Sequence, residues 1–205
     1  MQRLILGALL AACAANAAEA FPVGERDLTT SEHSAALRDA KNGDQLRITV
    51  WYPAAAGVIE ESLDIGPPNK PLFRSGKAAP GAAFADGKPR PVILLSHGFG
   101  GTARMMAWFG TALAREGYIV IAVDHPGNNG MDPMTPAGAI LYWERPGDLS
   151  AALARVKADP MIAPHLSLAR LGVAGFPAGG FTSLAAAGAR VDYGRFRAFC
   201  AANPA

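Results

Sequence analysis

The sequence predicts an α/β fold with three layers, in which helices cover both faces of a mostly parallel β-sheet. Apolar runs of strand length recur along the chain, segments with helical periodicity separate them, and glycine-rich turns follow them. Strands that alternate with helices in this way are typical of parallel sheets that are buried on both faces.

Four segments are predicted to be strands. The stretch LRITVWYP at 46–53 alternates polar and apolar residues and ends at a proline. The runs PVILLSHG at 91–98, YIVIAVDHPG at 118–127 and RLGVAGF at 170–176 are apolar almost throughout. Such runs are expected of strands that are buried on both faces of a sheet.

Helices are predicted between and after these strands. In 102–116 the apolar side chains form one helical stripe, with Thr102 as the expected N-cap and Gly117 as the stop. A second helix is predicted over 145–159 and ends before Pro160. An alanine-rich helix follows the last of the apolar runs.

Length and composition are those of one globular domain. The chain has 205 residues, of which 50% are hydrophobic and 18% charged, and its formal net charge is +2. No basic tract interleaves with aromatic residues, so nucleic-acid binding is not expected. Residues 54–90 are rich in Pro, Gly and Ala, and they are predicted to be an irregular insertion that overhangs a site.

Residues 1–20 are predicted to be a secretory signal peptide. They combine one arginine, a short apolar stretch and small residues, and cleavage after Ala17 or Ala20 would fit. The stretch LAAC at 10–13 also resembles a bacterial lipobox, which would leave Cys13 as a lipid anchor. Both alternatives place the protein in the periplasm or beyond, and no other stretch is long enough to span a bilayer.

Metal and cofactor chemistry are not expected. Cys13 and Cys200 are the only cysteines, so removal of the signal would leave Cys200 without an intrachain partner. His33 and His165 show no metal-ligand spacing.

Three distinctive motifs follow the predicted inner strands. They are SHGFGG at 96–101, DHPGNN at 124–129 and GFPAGG at 175–180. In open α/β sheets, chemistry is found at the carboxyl ends of the strands. The third motif differs from the nucleophile elbow G-x-S-x-G because a proline, Pro177, replaces the serine.

In this order and spacing the motifs resemble the α/β-hydrolase fold. They resemble more closely the dienelactone-hydrolase-like esterases related to platelet-activating-factor acetylhydrolases. The resemblance covers residues 21–205, which would form the N-terminal part of a single hydrolase domain, truncated after the elbow helix. It implies an exported carboxylic-ester or lactone hydrolase that works through an acyl-enzyme, and a small ester-like or apolar ligand.

The resemblance also implies a role for each motif residue. Pro177 occupies the position of the nucleophile, and the backbone N–H groups of Phe99 and Ala178 would form the oxyanion hole. Glycines would allow the backbone to turn and to approach a substrate closely in the oxyanion loop (residues 96–101) and in the elbow (residues 175–179). These glycines are Gly98, Gly100, Gly175 and Gly179.

The proline is expected to preserve the helix and to remove the chemistry. An elbow nucleophile sits at a strained, positive φ, whereas proline fixes φ at about −65°. Proline is nevertheless favourable at the start of a helix. After Pro177 the sequence contains one acidic residue, Asp192, and no histidine, so the acid and base of a triad are also absent.

Other polar residues near the strand ends are expected to be structural. His97 is expected to hold the oxyanion loop, and Asp124 and His125 to point to opposite faces of the sheet. Arg145 and Asp148 are expected to be capping and dipole partners of their helix.

A relocated nucleophile is not expected. Ser96 is expected to be buried in its strand, and Thr182 and Ser183 to point along the side of their helix. None of the three has a visible base beside it.

Three explanations of the altered elbow remain open. The chain could be a degenerate or truncated copy of a hydrolase, or a non-catalytic module or lipoprotein that binds a small ligand. The serine and a longer C-terminus could also have been lost by a sequencing error, which resequencing the locus would reveal. In the first case the sheet edge left open at 170–176 is expected to cause self-association.

Overall fold

The computed structural model describes residues 20–203, so nearly all of the predicted signal peptide, with Cys13, lies outside the described residues. Seven strands form one sheet: β1 (Val23–Ser31), β2 (Gln45–Pro53), β3 (Glu61–Ile65), β4 (Phe73–Pro80), β5 (Arg90–Ser96), β6 (Ile119–Asp124) and β7 (Leu166–Gly175). Their order across the sheet is β3-β4-β1-β2-β6-β5-β7.

Within residues 20–203, six α-helices and three short 3₁₀ turns lie between the strands or follow the last of them. The helices are α1 (Ala35–Arg38), α2 (Ala107–Arg115), α3 (Pro136–Ile140), α4 (Arg145–Lys157), α5 (Ala178–Ala186) and α6 (Tyr193–Ala202). The 3₁₀ turns are Arg104–Met106, Tyr142–Glu144 and Ala163–His165. None of the helices in residues 20–203 is both long enough and apolar enough to cross a membrane.

The sheet is mixed, and its functional end is parallel. β5 lies between β6 and β7 and runs parallel to both. β2 runs antiparallel to β1 and β6, and β4 joins β1 in parallel. The predicted α/β class with a layered sheet is therefore confirmed.

Two apolar cores lie on opposite faces of this sheet. On one face Trp51 packs with residues of α2, and on the other Ile48 packs with Leu149 and Val156 of α4. Side chains of β6 alternate between the two cores. Val120 and Ala122 belong to the α2 core, and Ile121 and Val123 belong to the α4 core.

The segment 54–90 is more regular than the sequence indicates. It contains β3 and β4, an antiparallel pair that extends the sheet beyond β1. The prediction of an irregular insertion is thus wrong for these two strands. Their sequences, ESLDI and FRSGKAAP, are poor in β-branched and aromatic residues, so the pairing depends on tertiary context.

The opposite edge of the sheet is open in the described part of the chain. β7 is the terminal strand, and side chains such as Leu168 and Leu171 are 41% and 43% exposed. No residue of α6 is buried. Exposed apolar side chains continue through this region, at Phe181, Leu184, Val191, Tyr193, Phe196 and Phe199.

Candidate functional site

The predicted elbow is a relaxed helix start. Pro177 has φ −67° and ψ −38°, and α5 begins at the next residue. In the described chain Asn69 is the only residue other than glycine with a positive φ. The strained turn of a nucleophile elbow is therefore not formed, and the pyrrolidine ring stands where a hydroxyl would be.

The elbow packs directly on the first residues of the oxyanion loop. A Cβ atom on Gly98 would lie 2.7 Å from the carbonyl oxygen of Phe176 and 2.9 Å from Cδ of Pro177. A Cβ on Gly175 would collide with the backbone of Gly179, and a Cβ on Gly179 with the carbonyl of Ser96. The glycines that the sequence singled out thus allow three backbone segments to meet.

The oxyanion loop is held by the segment that follows β6. Gly100 has φ +64°, a conformation that favours glycine, and its N–H donates to Oδ1 of Asn128 at 2.7 Å. The N–H of Gly130 donates to the carbonyl of Gly101 at 3.0 Å. Asn128 is itself fixed through its amide group, which donates to the carbonyl of Gly138.

Both predicted oxyanion donors are available. The N–H of Phe99 has no acceptor within residues 20–203, and the Phe99 side chain is 56% exposed. Ala178 is the first residue of α5, where backbone N–H groups have no intrahelical partner. The loop and the helix start therefore present two free donors beside Pro177.

Asp124 and His125 point to opposite faces of the sheet. The carboxylate of Asp124 accepts a hydrogen bond from the N–H of Ala103 at 2.7 Å and lies 3.5 Å from Nε of Arg47. Burial raises the pKa of Asp124, although both of these contacts oppose the rise. Asp124 thus anchors the segment that follows the oxyanion loop.

His97 holds the loop from within. Its Nε2 accepts a hydrogen bond from the backbone N–H of His125 at 3.1 Å, so the ring proton is on Nδ1, which donates to the carbonyl of Gly98 at 2.6 Å. Burial, together with the neighbouring His125, lowers the pKa of His97 well below 6.5. His97 is therefore a neutral hydrogen-bonding residue at physiological pH.

On the α4 face the structure joins three residues that the sequence analysis kept apart. Oγ of Ser96 lies 2.8 Å from Nε2 of His125, and Nδ1 of His125 lies 2.7 Å from Oδ2 of Asp148. The prediction that Ser96 has no base beside it is wrong. Asp148 is also not a cap of α4, because its carboxylate is occupied by these contacts inside the protein.

A buried ion pair completes this cluster. The guanidinium of Arg38 donates to both carboxylate oxygens of Asp148, at 2.8 and 2.6 Å, and to Glu32 at 3.0 Å. Burial alone would raise the pKa of Asp148. The hydrogen bonds from Arg38 and His125 lower it by more than burial raises it, so the net shift is downward. Sequence reasoning missed Arg38, which lies 110 residues from Asp148 in a short helix without a motif.

Arg145 is buried with incomplete pairing. One amino group donates to the carbonyl of His97 at 3.1 Å, while Nε and Nη2 have no partner among the described residues. Burial lowers the pKa of Arg145 to about 10, so the side chain stays cationic at neutral pH. It fixes the oxyanion loop from the α4 side and does not act as a helix-dipole partner.

A cavity of about 710 Å³ opens on the α2 face of the sheet. Polar groups of β1 and β2 line it, among them Asp27, Arg47 and Thr49. The residues after the oxyanion loop, Thr102 and Met105, form another wall. The cavity therefore begins next to the loop, but neither Pro177 nor Phe99 lines it.

A layered sheet with parallel inner strands, an oxyanion loop after one of them and an elbow helix after another defines an α/β-hydrolase. The chain belongs to the family described as serine aminopeptidase, S33, whose model matches residues 87–205. No curated protein matches the chain.

The chain is also similar to solved structures. A ferulic acid esterase from Streptomyces cinnamoneus is 26% identical with a TM-score of 0.62, over 82% of this chain and 55% of the esterase. A hypothetical protein from Pseudomonas aeruginosa is 18% identical with a TM-score of 0.46, over 80% of this chain and 38% of that protein. The chain thus spans about half or less of the length of these two proteins.

Proposed function

We propose that this protein derives from an exported carboxylic-ester or lactone hydrolase of the dienelactone-hydrolase-like kind, and that the chain does not hydrolyse esters. Membership of a hydrolase family and the likeness to a ferulic acid esterase support the ancestral activity. The signal-like N-terminus supports export, with Cys13 as a lipid anchor in the alternative.

The observation that carries the proposal is the local structure at Pro177. The oxyanion loop and the helix start are both formed, and the N–H groups of Phe99 and Ala178 are free to stabilise an anion. Between them stands a residue that has no hydroxyl and a φ of −67°. The site keeps the backbone donors that would stabilise an oxyanion and lacks the nucleophile that would attack the ester.

The purified chain is expected not to hydrolyse p-nitrophenyl acetate or butyrate above the buffer rate. It is also expected not to react with a fluorophosphonate probe, because no exposed serine within residues 20–203 forms a hydrogen bond with a histidine. An active serine esterase assayed in parallel shows that the reagents work. Stoichiometric labelling of any serine, located by peptide mass spectrometry, would contradict the proposal.

Pro177→Ser alone is expected to restore little activity. A serine hydroxyl is a weak nucleophile without an adjacent base, and the members of a triad act as a unit. The ester hydrolysis rate of Pro177→Ser is expected to stay within about tenfold of that of Pro177→Ala, the matched control. A rate several orders of magnitude higher would require a base within the chain.

A non-catalytic binding module is the second candidate, and the 710 Å³ cavity is the observation that favours it. Small apolar or ester-like molecules are its expected ligands. Under this candidate the chain would sediment as a monodisperse monomer with a cooperative melt, and a bound ligand would raise the melting temperature. A self-associating chain that binds no such molecule favours the degenerate copy.

Self-association through β7 is expected when the chain is expressed alone. The edge carries one charge, Arg170, and no proline within the strand, so little opposes pairing with another chain. Leu168→Lys places a charge on that edge and is expected to shift sedimentation towards monomer. Leu184→Lys, an exposed leucine on α5, is the control, and an equal effect of both would place the contact elsewhere.

A further inference from the structure

The hydrogen-bonding roles in the Ser96–His125–Asp148 cluster are fixed by its surroundings. Asp148 is held as a carboxylate by the two donors of Arg38, so it can only accept, and Nδ1 of His125 must carry the proton that lies between them. Nε2 of His125 is then an acceptor, and the hydroxyl of Ser96 donates to it. This is the connectivity of a serine–histidine–acid triad.

Access distinguishes the cluster from a catalytic triad. Ser96, His125 and Asp148 are all 0% exposed, and the elbow lies directly over Ser96, because the N–H of Phe176 donates to the Ser96 carbonyl. The two free oxyanion donors belong to the neighbouring site at Pro177. A substrate carbonyl therefore has no path to the Ser96 hydroxyl.

Electrostatics distinguish it as well. The bidentate pair with Arg38 offsets part of the charge of Asp148, while the hydrogen bond from Nδ1 of His125 to Asp148 still favours the imidazolium. Burial outweighs that effect and lowers the pKa of His125 to about 4, and the cations Arg145 and Arg38 act in the same direction as burial. A general base that works at neutral pH needs a pKa nearer to 7.

The cluster instead fixes the first two residues of the oxyanion loop. The ring of His125 binds the side chain of Ser96, and its backbone N–H binds the ring of His97. Arg145 holds the His97 carbonyl from the same side. The peptide that leads to the Phe99 N–H is thus tied to β6 and α4 by buried contacts.

We infer that Ser96, His125 and Asp148 form a buried positioning array for the oxyanion loop, in which Ser96 is a hydrogen-bond donor and not a nucleophile. The inference depends on the proposed function in one respect only, which is that residues 96–101 are called an oxyanion loop. The array holds the loop in a shape that presents its backbone N–H donors.

The array has a spectroscopic signature. His97 and His125 are both expected to be neutral with the proton on Nδ1, at pH 7. Long-range ¹H–¹⁵N spectra of ¹⁵N-histidine-labelled protein distinguish the two tautomers and the imidazolium, in solution or by magic-angle spinning of sedimented protein. An Nε2–H tautomer or a charged ring at His125 would overturn the assignment.

Ser96→Ala tests the positioning itself. Loss of the Ser96 donor is expected to speed hydrogen exchange of the Gly100 and Gly101 amides by about five- to tenfold and to shift the Nε2 resonance of His125. The matched control is Ser75→Ala, which removes another buried serine whose hydroxyl donates to one carbonyl, that of Met105 at 3.2 Å. It is expected to leave both readouts unchanged.

The outcomes separate the inference from the proposed function. Unchanged loop exchange in Ser96→Ala, or an equal change in Ser75→Ala, overturns the positioning role. Fluorophosphonate labelling of Ser96 in the wild-type chain also overturns it, because the serine would then be a nucleophile. Ester turnover that Ser96→Ala does not alter would overturn only the proposed inactivity. If Ser96→Ala does not fold, the wild-type tautomers and labelling decide.

Discussion

Asp148→Asn is expected to lower the free energy of unfolding by about 3–5 kcal/mol. The substitution keeps the shape of the side chain but removes the charge that faces Arg38, which is 2% exposed. Arg38 would then have only Glu32 as an ionic partner. Loss of one of the two ionic partners of a buried cation is costly, and a loss of this size is a large part of the roughly 5–15 kcal/mol that stabilises a domain.

Urea unfolding followed by tryptophan fluorescence measures this difference. The control is Asp64→Asn, since Asp64 lies 3.6 Å from Arg74 in a surface pair whose side chains are 41% and 72% exposed. Surface pairs of this kind contribute about 0–1 kcal/mol. If Asp148→Asn and Asp64→Asn cost the same, the Arg38–Asp148 pair does not stabilise the fold as its burial indicates.

The sequence predicted the parts of the fold that have strong local signals. The inner strands β5, β6 and β7 are nearly continuous apolar runs, and the helices between them have clear stripes or stops. β1, β3 and β4 were not predicted. β1 carries polar side chains such as Asp27 on the face that borders the cavity, and β4 includes Gly76, so both are defined by the strands they pair with.

The candidate site was predictable where a sequence motif determines the backbone conformation. From Pro177 and the neighbouring glycines alone, the sequence predicts that a helix starts there and that the nucleophile is missing. The array below the loop was not predictable in this way. It needs Ser96 of β5, the residue after β6, the first turn of α4 and Arg38 of α1, and their contacts arise only when the layers pack.

One physical signal in the sequence did bear on the array. Side chains alternate along a strand, so the opposite orientation of Asp124 and His125 followed from their adjacency. The carboxyl ends of parallel neighbours meet at one edge of the sheet, which places Ser96 of β5 near His125 after β6. Asp148, in the first turn of a helix that begins at that edge, is the acid within reach.

The buried histidines are expected to make acid destabilise the domain from about pH 6.5 downward. His125 is surrounded by Asp148, Arg38, Arg145 and His97, and burial lowers its pKa to about 4 despite the hydrogen bond to Asp148. The unfolded chain therefore binds a proton between about pH 6.5 and pH 4 that the folded chain does not. Stability must fall as the pH falls through this window.

The loss from His125 alone is about 3 kcal/mol, and the lowered pKa of His97 acts in the same direction. Asp148 adds a later loss, because its pKa in the fold is below 3.8 and its contribution disappears only as the pH falls through that value. Urea unfolding at pH 7, 6 and 5 measures the slope. A free energy of unfolding that stays constant from pH 7 to pH 5 would contradict this prediction. It would mean that the buried histidines bind protons as readily as exposed ones, although their closed packing keeps water away from the rings.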